Sequence, residues 1–277
     1  MIKSPPKVMT FSATDPTGGA GLQADVLTIS SLGCHPVSIA TGFTVQDTVG
    51  VKELIPIDSE LVNDQARLVL EDMEVDIFKL GLLGGTENIA TIAAIISDYP
   101  DIPLIIDPVL ASGRGDEFTD IEARNMMIEL LFPESLLITP NSLEARQLVS
   151  NEEEPSDLSL ETCVERFKKI GCENILITGT HENTENVINT LYSLSNQIIP
   201  YHWDRLPGSY HGSGCTLTAA ISAYYALGLS IGEAVEEAQH FTWQTLKDGF
   251  KPGMGQLIPN RFFHEIDIED DGKFTHH

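Results

Sequence analysis

The sequence is poor in positive charge. It carries 16 Lys and Arg against 41 Asp and Glu among 277 residues, a formal net charge of −25. Such a surface repels nucleic acid and anionic membranes. Any phosphate site must therefore create its own local positive potential. Long apolar runs are also missing: no stretch of 18 or more apolar residues occurs, which argues against a membrane-spanning helix. The start, Met1 to Pro6, is short and polar and lacks the apolar core of a secretion signal. A cytoplasmic protein is expected. The four cysteines, Cys34, Cys163, Cys172 and Cys215, include no pair at metal-ligand or redox spacing. The first three read as small buried apolar residues. No Gly-x-Gly-x-x-Gly run and no P-loop lysine occur. Linkers, repeats and low-complexity blocks are absent too, so one domain is expected over 1–277, with its core at about 7–246. The excess acid clusters at Glu152 to Asp157 and Glu265 to Asp271. These read as a solvated loop and a solvated tail over about 265–277.

What is present is alternation. Lys7–Phe11, Val37–Thr41, Ile77–Leu80, Leu104–Ile106, Leu136–Thr139 and Asn174–Thr178 are short runs, apolar on both faces, as buried parallel strands are. Amphipathic stretches separate them: Leu22, Val26 and Ile29 recur at helical spacing, as do Val62, Ala66, Val69 and Met73. The pattern predicts an α/β sandwich, a mostly parallel sheet covered by helices on both faces. Val187–Leu194 and Ile198–Trp203 predict a hairpin at one edge, and helices follow at about Cys215–Leu227 and Ile231–Leu246. Ligands of such sheets bind beyond the carboxyl ends of the strands, so the loops that follow strands carry the chemistry.

Two glycine turns stand there. The first runs Ser12 to Gly21 and leads into a helix starting near Gly21. It reads equally as a tight turn that binds nothing or as a backbone cradle for a ligand. One turn into its helix, Asp25 is either solvated or an acceptor for a polar ligand. Gln46, just past the second strand, is either a surface loop residue or a reader of a heteroaromatic edge, since an amide both donates and accepts. The second turn, His211-Gly212-Ser213-Gly214-Cys215-Thr216, opens the clearest helix. Glycines at a helix start leave N–H groups unpaired, and the helix dipole adds positive charge. Together they make an anion site. Cys215, in the first turn, is either a small residue chosen for fit or a thiol whose pKa the helix lowers. His211 contacts a ligand or is structural.

Asp107, before Pro108, and Glu144, in Thr139-Pro140-Asn141-Ser142-Leu143-Glu144, follow central strands. As hard oxygen ligands they suit Mg²⁺. As plain structure, Asp-Pro makes a turn, and Asn141 with Glu144 makes a capping box.

In these motifs the chain resembles the hydroxymethylpyrimidine and phosphomethylpyrimidine kinases of thiamine biosynthesis, within the ribokinase-like superfamily. The motifs are Thr14 to Asp25, Val45 to Thr48, Lys79-Leu80-Gly81, Asp107-Pro108-Val109, Ile138 to Glu144 and His211 to Leu217. The resemblance runs from about Lys7 to about Leu246. It implies a ribokinase-like three-layer α/β/α sandwich, ATP and Mg²⁺ as cofactors, and successive phosphorylation of the pyrimidine alcohol and its monophosphate. It implies a homodimer. It also implies an anion hole at Gly212, Ser213, Gly214 and Cys215, with Cys215 taking the alcohol proton. Substrate contacts are implied at Gln46, Asp25, Gly21, Val109 and His211. Nucleotide contacts are implied at Asp107, Asn141, Glu144, Thr178 and Gly179, with Mg²⁺ at Asp107 and Glu144. The chain departs from many relatives at Thr178 and Thr180, where they carry lysine and a second glycine, and at Gly113-Arg114-Gly115. Those departures motivate a rival reading, a non-catalytic pyrimidine-binding protein. Pyridoxal kinase is the nearer rival, its substrate being a planar heteroaromatic with a hydroxymethyl arm.

Overall fold

The computed structural model describes residues 4–111, 118–150, 158–263, 266–268 and 274–276. The Gly113-Arg114-Gly115 run, the acidic segment 151–157 and much of the acidic tail lie outside the described residues.

The apolar runs become strands because both of their faces are covered. In chain order the elements are β1 (Lys7–Thr14), α1 (Gly21–Ser31), β2 (His35–Gln46), β3 (Val51–Pro56), α2 (Ser59–Asp72), β4 (Ile77–Leu80), α3 (Thr86–Asp98), β5 (Leu104–Ile106), α4 (Ile121–Leu130), β6 (Leu137–Ile138), α5 (Ser142–Val149), α6 (Leu160–Ile170), β7 (Ile175–Ile177), β8 (Asn186–Tyr192), β9 (Ile198–Asp204), α7 (Ser213–Ala226) and α8 (Ile231–Lys247). A separate antiparallel ribbon pairs β10 (Ile266–Ile268) with β11 (Phe274–His276). Nine strands form one sheet in the order β3-β2-β1-β4-β5-β6-β7-β8-β9. Strands β2, β1, β4, β5, β6 and β7 run parallel. Strand β3 pairs antiparallel with β2, β8 with β7, and β9 with β8. The edge hairpin read from the sequence is β8–β9.

Alternate residues of each strand serve opposite layers. Val8, Ile77, Ile105, Leu137 and Leu176 pack with α1, α7 and α8. Met9, Phe11, Phe78, Leu80, Ile106 and Ile138 pack on the other face with residues of α2 to α6. Each such fully buried side chain contributes roughly 2 kcal/mol of transfer free energy. Ala219, Ala220 and Ala223 are fully buried on α7, small enough to seat that helix close to the sheet. The chain leaves β1 toward β2 on one side and returns to β4 on the other. That reversal opens a crevice at the carboxyl ends of β1 and β4.

Two expectations need correction. Gln46 is not in a loop: β2 runs on to Gln46 because β3, unread in the sequence, pairs with it back to Gly42. Helix α7 begins at Ser213, two residues before the expected start at Cys215.

Candidate active site

A cleft of about 830 Å³ lies over the carboxyl ends of the central strands. Both glycine turns border it. The second places Gly212 at the N-cap of α7 with φ +81°, and this N-cap residue makes no side-chain cap to the first-turn N–H groups. A Cβ at Gly212 would collide with the Gly19 carbonyl oxygen, so the two turns touch and only glycine fits the contact. Gly212, Ser213, Gly214 and Cys215 line the cleft together. This is the uncapped helix start that an anion site requires.

Cys215 does not hold a thiolate at rest. Burial, and then the charge of Asp107, push the thiol up to about 12, outweighing the pull of Lys79 and of the Gly21 N–H that faces the sulfur. The expected lowering by the helix start is outweighed by burial first and by the neighbouring carboxylates second. Asp107 is itself 6% exposed. Burial raises it to about 6, although Lys79 and a hydrogen bond with Cys215 work against that rise. Its carboxylate oxygens stand 3.9 and 4.0 Å from where a Cβ of Gly214 would be, so glycine leaves the space between acid and helix start open. Glu144 is raised to about 8 by burial and then by the charge of Asp107.

Asn141 and Glu144 do form the capping box of α5. The Asn141 side chain accepts from the Leu143 and Glu144 N–H groups at 2.9 Å, and Glu144 Oε2 accepts from the Asn141 N–H at 2.9 Å. The cap aims Glu144 into the cleft, which both residues line. The two readings of this motif are therefore one structure.

Beneath the floor lies a polar layer that the sequence did not reveal as a unit. Thr10 and Lys79 are cross-strand partners on β1 and β4, and both reach Asp25 on α1. Lys79 Nζ donates to the two Asp25 oxygens at 2.9 Å, and Thr10 Oγ1 donates at 2.6 Å. Asp25 and Lys79 are fully buried. Asp25 is thus neither solvated nor a lining residue of the cleft. It is the counter-ion of a lysine set under the α7 start, and burial without that partner would be costly.

Arg261, 2% exposed, was missed altogether. Its guanidinium donates to the Gly18 and Gly19 carbonyls at 3.3 and 2.6 Å and to Thr216 Oγ1 at 2.9 and 3.1 Å. It ties the first turn to α7. Burial lowers it to about 10, so it stays a cation and adds positive charge beside the anion site.

Of the remaining expected residues, Gln46, Gly21, Val109, Thr178 and His211 line the cleft. Gly179 does not: it is buried, its N–H donates to Asn189 Oδ1 at 3.0 Å, and a Cβ there would collide with the Ile188 carbonyl. Its amide is spent on the β7–β8 turn and is not free for a nucleotide. Far from Gln46 the cleft is bordered by Trp203, Gln239, Thr242 and Trp243, none of which the sequence singled out. Trp203 Nε1 donates to Gln239 Oε1 at 3.0 Å, and the two tryptophan rings lie 6.4 Å apart.

The sandwich and its cleft define a protein of the ribokinase-like class. The phosphomethylpyrimidine kinase family model matches residues 15–260. The hydroxymethylpyrimidine/phosphomethylpyrimidine kinase of Mycobacterium tuberculosis is 34% identical over 91% of this chain and 92% of its own. The thiamine biosynthesis bifunctional protein ThiED of Geobacter sulfurreducens is 31% identical over 95% of this chain, which spans 54% of that longer relative. Among solved structures, the pyridoxal kinase of Staphylococcus aureus in complex with AMP-PCP and pyridoxal superposes with a TM-score of 0.82 at 25% identity, covering 95% of each chain. The chain belongs to the phosphomethylpyrimidine kinase family.

Proposed function

We propose that the protein transfers the γ-phosphoryl group of ATP to 4-amino-5-hydroxymethyl-2-methylpyrimidine and then to its monophosphate. The observation that carries this reading is the uncapped start of α7, opening into the cleft beside Asp107 and Glu144. In a loose phosphoryl-transfer transition state, positioning and charge stabilisation dominate. The Ser213, Gly214 and Cys215 amides supply preorganised donors for the developing charge. Arg261, which no carboxylate neutralises directly in its hydrogen-bond set, adds fixed positive potential behind them.

The residues also fit Mg²⁺. Asp107 and Glu144 are two carboxylates held close enough for one to raise the other, and a cation relieves that repulsion. Among the described residues no third His, Cys, Asp or Glu completes a protein cage, which suits an ion that keeps waters and nucleotide oxygens as ligands. Asp107 and Glu144 would hold the ion, which would supply charge stabilisation to the phosphoryl group that ATP donates.

Cys215 receives the alcohol proton in the first step only as it hands its own to Asp107, its hydrogen-bond partner. In the second step the acceptor phosphate is already ionised and needs no base. The reading includes a cytoplasmic homodimer. Phe43 and Ile55 are exposed cross-strand partners on β2 and β3, with Val45 exposed on the same face, an apolar surface a second copy would cover. Sedimentation equilibrium checks it.

The experiment is ADP release measured with the alcohol, its monophosphate and pyridoxal as acceptors. Turnover of both pyrimidines is expected. Cys215→Ala should slow alcohol phosphorylation by about 10²-fold and the monophosphate step only a few-fold. Equal losses in both steps would make Cys215 structural, and turnover of pyridoxal alone would sink the substrate assignment.

A further inference from the structure

Three side chains at the acceptor end of the cleft are joined so that the chemistry of one fixes the next. Asp15 is 2% exposed. Burial opposes its ionisation, but hydrogen bonds from His211, Thr17 and Ala20 prevail and hold the carboxyl at about 2. An ionised carboxylate only accepts, so His211 Nε2, 2.9 Å from Asp15 Oδ2, carries a proton. The same Nε2 stands 3.3 Å from Gln46 Nε2. The one proton of His211 Nε2 serves Asp15, so that nitrogen has no lone pair for an amide N–H. Turning the Gln46 amide over puts Oε1 there as a second, weaker acceptor of the same N–H, with its NH₂ turned elsewhere.

We propose that Asp15 and His211 are positioning residues that set the amide plane of Gln46, and through it the hydrogen-bond pattern the cleft offers a heteroaromatic ring. In that setting Gln46 presents an NH₂ donor and the second lone pair of Oε1. The complementary edge is a ring nitrogen beside an exocyclic amine. A hydroxymethylpyridine of the same outline lacks the amine and leaves Oε1 half met. The proposal rests on the acceptor assigned above and deepens it.

The neighbouring backbone holds this arrangement independently. One strap at 255–257 binds both partners: the Gly255 and Gln256 N–H groups donate to Thr48 Oγ1 at 3.0 Å and to its carbonyl at 2.9 Å, two residues beyond Gln46. The Leu257 carbonyl accepts from the His211 N–H at 2.9 Å. On its other side the imidazole packs on the first glycine turn, where a Cβ at Gly19 would meet His211 Cδ2 at 2.5 Å. The ring is confined between strap and turn, with its one edge aimed at Asp15 and Gln46.

The test is calorimetric binding, without nucleotide, of the aminopyrimidine alcohol and of pyridoxal. Wild type should prefer the aminopyrimidine. His211→Leu should weaken aminopyrimidine binding by about tenfold, the loss of one fixed polar contact, and leave pyridoxal within about twofold. His211→Gln, which keeps an N–H at similar reach, should restore the preference. Gly19→Ala, which pushes the ring aside with His211 still present, should erode it and serves should His211→Leu fail to fold. Equal weakening of both ligands, or an unchanged preference in His211→Leu and Gly19→Ala, overturns the proposal while the kinase reading stands. Wild type that binds neither ligand removes that reading as well.

Discussion

The two glycine turns have similar composition and opposite states. Each follows a strand or loop, each contains glycine at positive φ (Gly18 and Gly21, against Gly212), and each opens a helix without a side-chain cap on its N-cap residue. In the first turn the Asp15, Thr17, Gly19 and Ala20 N–H groups are already satisfied from within. Asp15 accepts from the Thr17 N–H at 2.8 Å and the Ala20 N–H at 2.7 Å, Thr17 Oγ1 from Gly19 at 3.2 Å, and Gln23 Oε1 from Asp15 itself at 2.7 Å. The second turn has no internal carboxylate, and its donors face the cleft. Glycine thus makes a turn open to an anion; whether an acid of the same turn has already filled it decides its function. The first turn is a rigid wall, and the second is the receiving end.

The comparison breaks most visibly at Gly212. Gly212→Ala forces a side chain into a left-handed conformation and against the Gly19 carbonyl. The α7 amides would swing from their positions, and kcat should fall by about 10²–10³-fold. A variant with wild-type kcat would mean that phosphate is held elsewhere. Next in size is the link between the turns. Arg261→Met leaves the Gly18 and Gly19 carbonyls and Thr216 Oγ1 without their donor. A loss of about 2–3 kcal/mol in urea unfolding is expected, the cost of stranding buried polar groups. Unchanged stability would show that the turns hold together without the guanidinium.

Much of this frame was legible because burial on two faces leaves a signature. Strands β1, β4, β5 and β7 stand where continuous apolar runs put them. Strand β3 was not readable: Lys52, Glu53 and Pro56 are exposed on an edge, so no apolar period marks it, and its pairing is what carries Gln46 out of a loop and into β2. The two glycine turns, Asp107 and the Asn141–Glu144 pair were found from local spacing, which a sequence displays. Asp25 and Lys79 are 54 residues apart, and Arg261 meets Gly19 from 242 residues away. Contacts of that separation leave no local pattern, and a lone Asp or Arg reads as solvated. The same blindness bears on Cys215: the helix start is local, whereas the burial that raises its thiol, and the acids after β5 and on α1 that add to it, come from the tertiary fold.

The smallest expected effect sharpens the contrast by pH. Asp15 falls from 3.8 to about 2 on folding, so it binds fewer protons in the folded state. Its contribution is complete above pH 3.8 and lost as pH falls through about 2, worth about 2 kcal/mol in total. Because the carboxylate is buried, solvent screening takes little from that figure. Asp15→Asn keeps the size but cannot ionise, and its amide nitrogen would face the Ala20 or His211 donor. Unfolding free energy measured between pH 5 and pH 2 should therefore fall less steeply in Asp15→Asn than in wild type, with the variant already weaker at pH 7. Ser213→Ala, at the open turn, should leave that slope unchanged, since no carboxylate there gains its ionisation from the helix start. Parallel slopes for Asp15→Asn and wild type would mean that the first turn does not depend on its own acid, and the distinction between a filled and an open turn would fail.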